Sequence, residues 1–137
     1  MSEENKALFR QFTDGMNAHD LSVIDQVIDL NFVNHDPMPG QDDGIQGLKD
    51  MMGMFYASFP DLTVTLTHLV ADGDLVVGRM ITEGTQSGDF MGIPASGNKN
   101  SLPEMHMIRI ANGMSVEYWG VVDDLVMMQQ LGVMPTE

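Results

Sequence analysis

His19, His35, His68 and His106 are the side chains best suited to chemistry at neutral pH, because imidazole titrates there and serves as acid or base. His106 is the strongest candidate. In Glu104-Met105-His106-Met107-Ile108-Arg109, an extended backbone places Glu104 on the same face as His106, two residues away. His35 follows Asn34 at the end of a short extended segment, where a loop would hold it over a pocket mouth. His19 falls in a turn between helices and reads as solvated, and His68 lies on the apolar face of a strand. There is no cysteine, so thiolate ligands and a thiol nucleophile are excluded. The histidines are scattered without helical or strand pairing, so no metal site is expected. Asp123 and Asp124 precede Leu125-Val126-Met127-Met128 and suit helix N-capping. A carboxylate at that junction, turned into a pocket with a raised pKa, would instead remove a carbon-bound proton. The sequence has no glycine-rich phosphate loop, no His-Glu-x-x-His and no Gly-x-Ser-x-Gly. Its 14 methionines suit core filling or an adaptable apolar pocket.

The elements that must position these residues follow from periodicity. Leu8, Phe12 and Met16 recur every four residues, which predicts a helix over about 3–18. Asp20 caps a second helix carrying Leu21, Ile24, Val27 and Ile28. The extended piece Phe32-Val33-Asn34-His35 then enters the turn Asp36-Pro37-Met38-Pro39-Gly40. A third helix follows Asp42-Asp43 through Ile45, Leu48, Met52, Phe55 and Phe59, and Pro60 ends it. The period then changes to two. Leu62, Val64, Leu66 and His68 alternate with threonines, and Asp72-Gly73 turns into a strand from Leu75 to about Thr85. A loop over residues 87–98 leads to a strand over about 102–111, the turn Asn112-Gly113, a strand over 115–122, and a final helix closed by Gly132 and Pro135. A two-residue turn pairs His106 with Trp119. A three-residue turn pairs it with Tyr118, setting His106, Tyr118 and Gly120 on one face and Arg109, Glu117 and Trp119 on the other. Helices followed by an antiparallel meander predict an α+β fold, a curved antiparallel sheet wrapped around N-terminal helices as a cone with an interior pocket.

With 137 residues the chain is the size of one domain, over residues 1–137. The formal charge of −14 disfavours nucleic acid and anionic membranes as partners, since both require a basic footprint. No apolar run approaches membrane-spanning length, and the acidic N-terminus is unlike a secretory signal, so a soluble cytoplasmic protein is expected.

Phe59-Pro60-Asp61-Leu62, Gly73-Asp74 with Val77-x-Arg79, Gly84-Thr85 and Gly88-Asp89-Phe90-Met91-Gly92-Ile93-Pro94-Ala95-Ser96-Gly97 occur in this order. They are followed by Glu104-x-His106-x-x-Arg109, Asn112-Gly113, Glu117-Tyr118-Trp119-Gly120-Val121-Val122-Asp123 and Gln130-Leu131-Gly132. The series resembles the SnoaL-like polyketide cyclases over nearly the whole chain. That resemblance implies the cone shared with ketosteroid isomerase, a homodimer or homotetramer, and no metal or organic cofactor. It also implies an intramolecular aldol condensation on an apolar carbonyl-bearing compound. In such enzymes an aspartate takes the acidic proton while a histidine assists at the carbonyl oxygen. The histidine matches His106, a substrate-contacting asparagine matches Asn34, and a pocket phenylalanine matches Met16. The aspartate's position, fourteen residues beyond the histidine, is Gly120. A base must then come from Asp123, Glu104 or His106 itself, and His106 with Asp123 is the expected catalytic pair. Asn34, His35 and Tyr118 are expected to contact polar ligand groups, with Met16, Tyr56 and Trp119 as pocket walls. Two other readings stand beside this one. The first is a non-catalytic binding or dimerisation module that lost the base at Gly120. The second is hydration or hydrolysis by water held between His106 and Asp123.

Overall fold

The computed structural model describes residues 2–134, so the expected stop at Pro135 lies outside the described residues. Helix α1 (Ser2–Asn17) buries Phe9, Thr13 and Met16, with Leu8 and Phe12 half-buried beside them on the same apolar face. Helices α2 (Ser22–Val27), α3 (Gly44–Ser58) and α4 (Asp124–Gln130) complete the helical set. Five strands, β1 (Ile28–Asn34), β2 (Thr63–Asp72), β3 (Leu75–Thr85), β4 (Lys99–Ala111) and β5 (Met114–Val122), form one sheet in the order β1-β5-β4-β3-β2. The sheet is curved and unclosed, in keeping with the expected α+β cone. Among the described residues no helix is long and apolar enough to cross a membrane.

Three local features differ from the sequence reading. The second helix stops at Val27, and Ile28 opens β1, a full strand that joins β5 in parallel through Ile28↔Ser115 and Asn34↔Tyr118. In β2 the register shifts between Leu66 and His68, so Thr67 is an extra residue and the alternation inverts. His68 is therefore exposed and bonded to the neighbouring Thr67 hydroxyl, not on the apolar face. In the β4–β5 hairpin the turn has two residues, pairing Ala111 with Met114, but the register then shifts between Ile110 and Arg109. The extra residue, Val116, sets His106 opposite Gly120 and Ile108 opposite Tyr118, a pairing that neither turn length alone produces.

Burial explains the layers. Met16, Ile24, Val27, Met52, Val64 and Met80 cluster where the helices cross the sheet's inner face. Phe59, Leu62, Phe90, Leu102, Met127 and Leu131 fill the other end, with the Phe90 ring centroid 5.1 Å from Phe55 and 5.5 Å from Phe59. The 87–98 loop is folded onto this second cluster by the wholly buried Gln86. Its amide donates to the Ile93 and Pro94 carbonyls and accepts from Ser96, which satisfies the buried Gln86 side chain and ties the loop to it. Between the two clusters the sheet and helices do not meet, and a cavity remains.

Candidate active site

The cavity has a volume of about 220 Å³, just under the usual range of roughly 300–1,000 Å³ for ligand sites. Its walls are apolar, with Phe12, Met16, Met51, Met52, Phe55 and Met80 prominent among them. Against this background one polar cluster stands out. Glu104 and His106, which share a face of β4 as the two-residue spacing requires, both point inward. His106 Nε2 lies 2.8 Å from Glu104 Oε1, with only 11% and 14% of the two side chains exposed. On its other side His106 Nδ1 is hydrogen-bonded to the Tyr118 hydroxyl. An ionised carboxylate can only accept, so Glu104 holds the ring proton on Nε2 and leaves Nδ1 to accept from the Tyr118 O–H.

Two glycines flank His106, one leaving room for Phe9 and the other for this chain of bonds. His106 pairs with Gly78 on one side and Gly120 on the other. A Cβ at position 78 would overlap the ring of Phe9. A Cβ at position 120 would overlap the Tyr118 hydroxyl and approach His106 Nδ1 to 2.9 Å. The phenol oxygen therefore occupies the space that a side chain at position 120 would claim. Burial, and then the negative charges of Glu104 and Asp36, push the Tyr118 pKa far above its ordinary value, so the hydroxyl keeps its proton.

Asp36 also reaches this point. Its carboxylate accepts from the Gly120 backbone N–H at 2.9 Å and lines the cavity. The preceding Asn34 holds it there, its side-chain oxygen accepting from the Asp36 N–H at 2.9 Å in an Asx turn. In the sequence Asp36 reads as part of a turn. The signal the sequence lacked was the parallel pairing of β1 with β5, which brings residue 36 beside residue 120.

The structure separates the other candidates. Met16, Asn34 and Tyr118 line the cavity with His106. Asp123 does not. Its Oδ1 accepts from the Val126 N–H at 3.0 Å, so the carboxylate caps α4, and the expected His106–Asp123 pair is not assembled. The neighbouring Asp124 is the one on the cavity wall. Trp119 and His35 face the opposite side of the sheet, because each alternates with an inward neighbour, Tyr118 and Asn34. They stack at 4.7 Å, and His35 Nε2 lies 2.9 Å from Glu117 Oε2. Tyr56 is turned one residue around α3 from the lining Phe55 and stacks at 4.2 Å on His19. His19 itself is half-buried and bonded to the Leu62 carbonyl, not solvated. Among the described residues no three His, Asp or Glu side chains stand together in a group that would hold a metal ion.

An open α+β cone around an apolar cavity into which Glu104, His106 and Tyr118 point defines a pocket-bearing fold. The model of the SnoaL-like polyketide cyclase family matches residues 6–131, and the chain belongs to that family. Among solved structures it is similar to TsrD from Streptomyces laurentii, at 30% identity over 96% of this chain and 97% of that one, with a TM-score of 0.88. AclR from Streptomyces galilaeus, a proposed hydroxylase, is 26% identical over 98% and 100% of the two chains with a TM-score of 0.87. IdmH from Streptomyces antibioticus, a proposed polyketide cyclase, is 30% identical over 94% and 99%, with a TM-score of 0.82. No curated protein matches the chain.

Proposed function

We propose that the protein is a cofactor-independent enzyme that transfers protons on an apolar, carbonyl-bearing compound, by polyketide-cyclase-type aldol chemistry. The observation that carries this reading is the bonded series Glu104–His106–Tyr118, ending in a protonated phenol inside an apolar cavity. In this reading Asp36, not Asp123, takes the place of the aspartate that Gly120 lacks. One Asp36 oxygen is held by the Gly120 N–H, and the other removes a proton from the carbon next to the substrate carbonyl. The Tyr118 hydroxyl donates to the carbonyl oxygen as it becomes an enolate. His106, fixed by Glu104 at Nε2, frees the Tyr118 O–H from Nδ1 for this donation and orients it again once Tyr118 is reprotonated. The enolate carbon then attacks a second carbonyl of the same molecule. A C–C bond forms, the new alkoxide takes the proton from Tyr118, and the proton on Asp36 passes to Tyr118 through solvent, which restores both groups. Apolar walls strengthen each of these polar contacts by excluding water. A cytoplasmic homodimer or homotetramer acting on a small apolar ketone belongs to the same reading.

The test is hydrogen–deuterium exchange of the methyl protons of 2-acetylnaphthalene in D2O, followed by NMR. The wild type is expected to exchange them faster than buffer, with Asp36→Asn and Tyr118→Phe each losing the acceleration while still binding the ketone. Ketone binding with exchange no faster than buffer overturns the enzyme reading and leaves a binding module, to which Gly120 points.

A further inference from the structure

The polar cluster around His106 is not the only polar feature of the cavity. Thr82 also lines it, from the inward row of β3, and its Oγ1 is buried without a hydrogen-bond partner among the described residues. Its surroundings are apolar: it pairs with Leu102, and Met80 and Leu62 stand on the same cavity wall. A valine would fill the same volume in a strand without burying an unmatched hydroxyl. Two pairs further along, Asn100 faces the same way opposite Gly84, is 4% exposed, and has both amide atoms likewise unpartnered among the described residues. Two other polar groups of the wall differ. Thr13 donates to the Arg10 carbonyl, and Gln41 accepts from the Met38 N–H.

Thr82 is far from the reacting end. It lies four residues along β3 from Gly78, the residue paired with His106, which is about 13 Å at the rise of an antiparallel strand. Between them on β3 lies the apolar Met80, and Glu104, paired with it on β4, is turned to His106 Nε2 at the reacting end. We propose that Thr82 is a specificity-determining residue, and that the substrate is an elongated, flat molecule with a hydroxyl or carbonyl at the end remote from its reacting carbonyl. A two-ring body with an oxygen at each end, hydrogen-bonded over about 2.8 Å at both, spans that separation. The inference rests on the reading of His106, Tyr118 and Asp36 as the carbonyl end.

Two probes separate the ends: 2-acetylnaphthalene, with a carbonyl alone, and 6-acetyl-2-naphthol, with a hydroxyl at the far end. Fluorescence titration of the wild type is expected to show about ten-fold tighter binding of the naphthol, the value of one neutral hydrogen bond made to a buried group. Thr82→Val is expected to erase that preference without loosening 2-acetylnaphthalene, and Thr82→Ser to keep most of it. The melting temperature of Thr82→Val is expected to equal or exceed the wild type's, since no native hydrogen bond is lost, so a failure to fold does not confuse the result. An equal preference in wild type and Thr82→Val, no preference in the wild type, or no binding of either probe each overturns the assignment. Methyl-proton exchange measured on the same probes keeps the two readings apart. Preference without exchange removes the enzyme and leaves the Thr82 subsite, whereas exchange without preference does the reverse.

Discussion

The β4–β5 hairpin carries a charge–imidazole network on each face, and the two are built from similar residues. Inside, Glu104, His106 and Tyr118 form a series whose histidine and glutamate are almost wholly covered. Outside, Arg109 bonds Asp74 at 2.9 Å and Glu117 at 2.8 Å, while Glu117 also meets His35. Trp119 stacks on His35 and carries the Arg109 guanidinium 5.9 Å above its ring. The outer charges are screened: Asp74 is 53% exposed and His35 39%. Hydrogen bonding by His35 and Arg109 holds the Glu117 carboxyl below the usual range, which stabilises an ion that stays ionised. Inside, burial pushes Tyr118 the other way and preserves a proton for donation. Residue type therefore does not identify the site. Enclosure does, because the same groups gain chemical leverage only where water is excluded.

The largest effect expected to sharpen this contrast is catalytic. His106→Ala or Tyr118→Phe is expected to lower methyl-proton exchange by roughly 10²–10⁴-fold, the usual contribution of a positioned acid or base. Arg109→Ala, on the outer face of the same strand, is expected to leave the rate within about three-fold. Comparable losses from both faces would break the distinction.

Next in size is the close packing at Gly120. Gly120→Ala forces a methyl onto the Tyr118 hydroxyl and is expected to destabilise the fold by about 1–3 kcal/mol in urea titrations. In a Tyr118→Ala background the same change is expected to cost much less, a coupling that a double-mutant cycle isolates. Additive effects would mean that the phenol does not hold that space.

Much of this architecture was legible. The four-residue stripe through Leu8, Phe12 and Met16, the alternation of β3 and the Asn112-Gly113 turn all follow from local sequence, as does the shared face of Glu104 and His106. The rest depended on long-range pairing. Nothing near Ile28 signals that it opens a strand parallel to β5, and without that pairing Asp36 cannot be brought to Gly120. Single-residue bulges at Thr67 and Val116 inverted side-chain parity, turning His68 out and seating His106 against Gly120. A bulge changes which face each later residue occupies while leaving composition and hydrophobic pattern almost unaltered. The assignment of Asp123 turned on a choice between two adjacent carboxylates, and only cap geometry decides it. Asp123→Ala is accordingly expected to cost about 1 kcal/mol of stability, the typical value of an N-cap, with exchange unchanged.

The smallest effect concerns pH, and it has opposite signs on the two faces. Glu117 has a depressed pKa, so its contribution to stability is present above its ordinary value of 4.5 and is lost as the pH falls through the lower folded value. Tyr118 has a raised pKa, so its contribution is complete below about pH 10 and is lost as the pH rises through the higher folded value. Melting curves across pH are expected to show Glu117→Gln flattening only the acid limb and Tyr118→Phe only the alkaline limb. Because the outer network is exposed, added salt should shrink the acid-limb difference and spare the alkaline one. If salt instead removed the alkaline difference, Tyr118 would be in contact with solvent, and the enclosure that separates the inner network from the outer one would not exist.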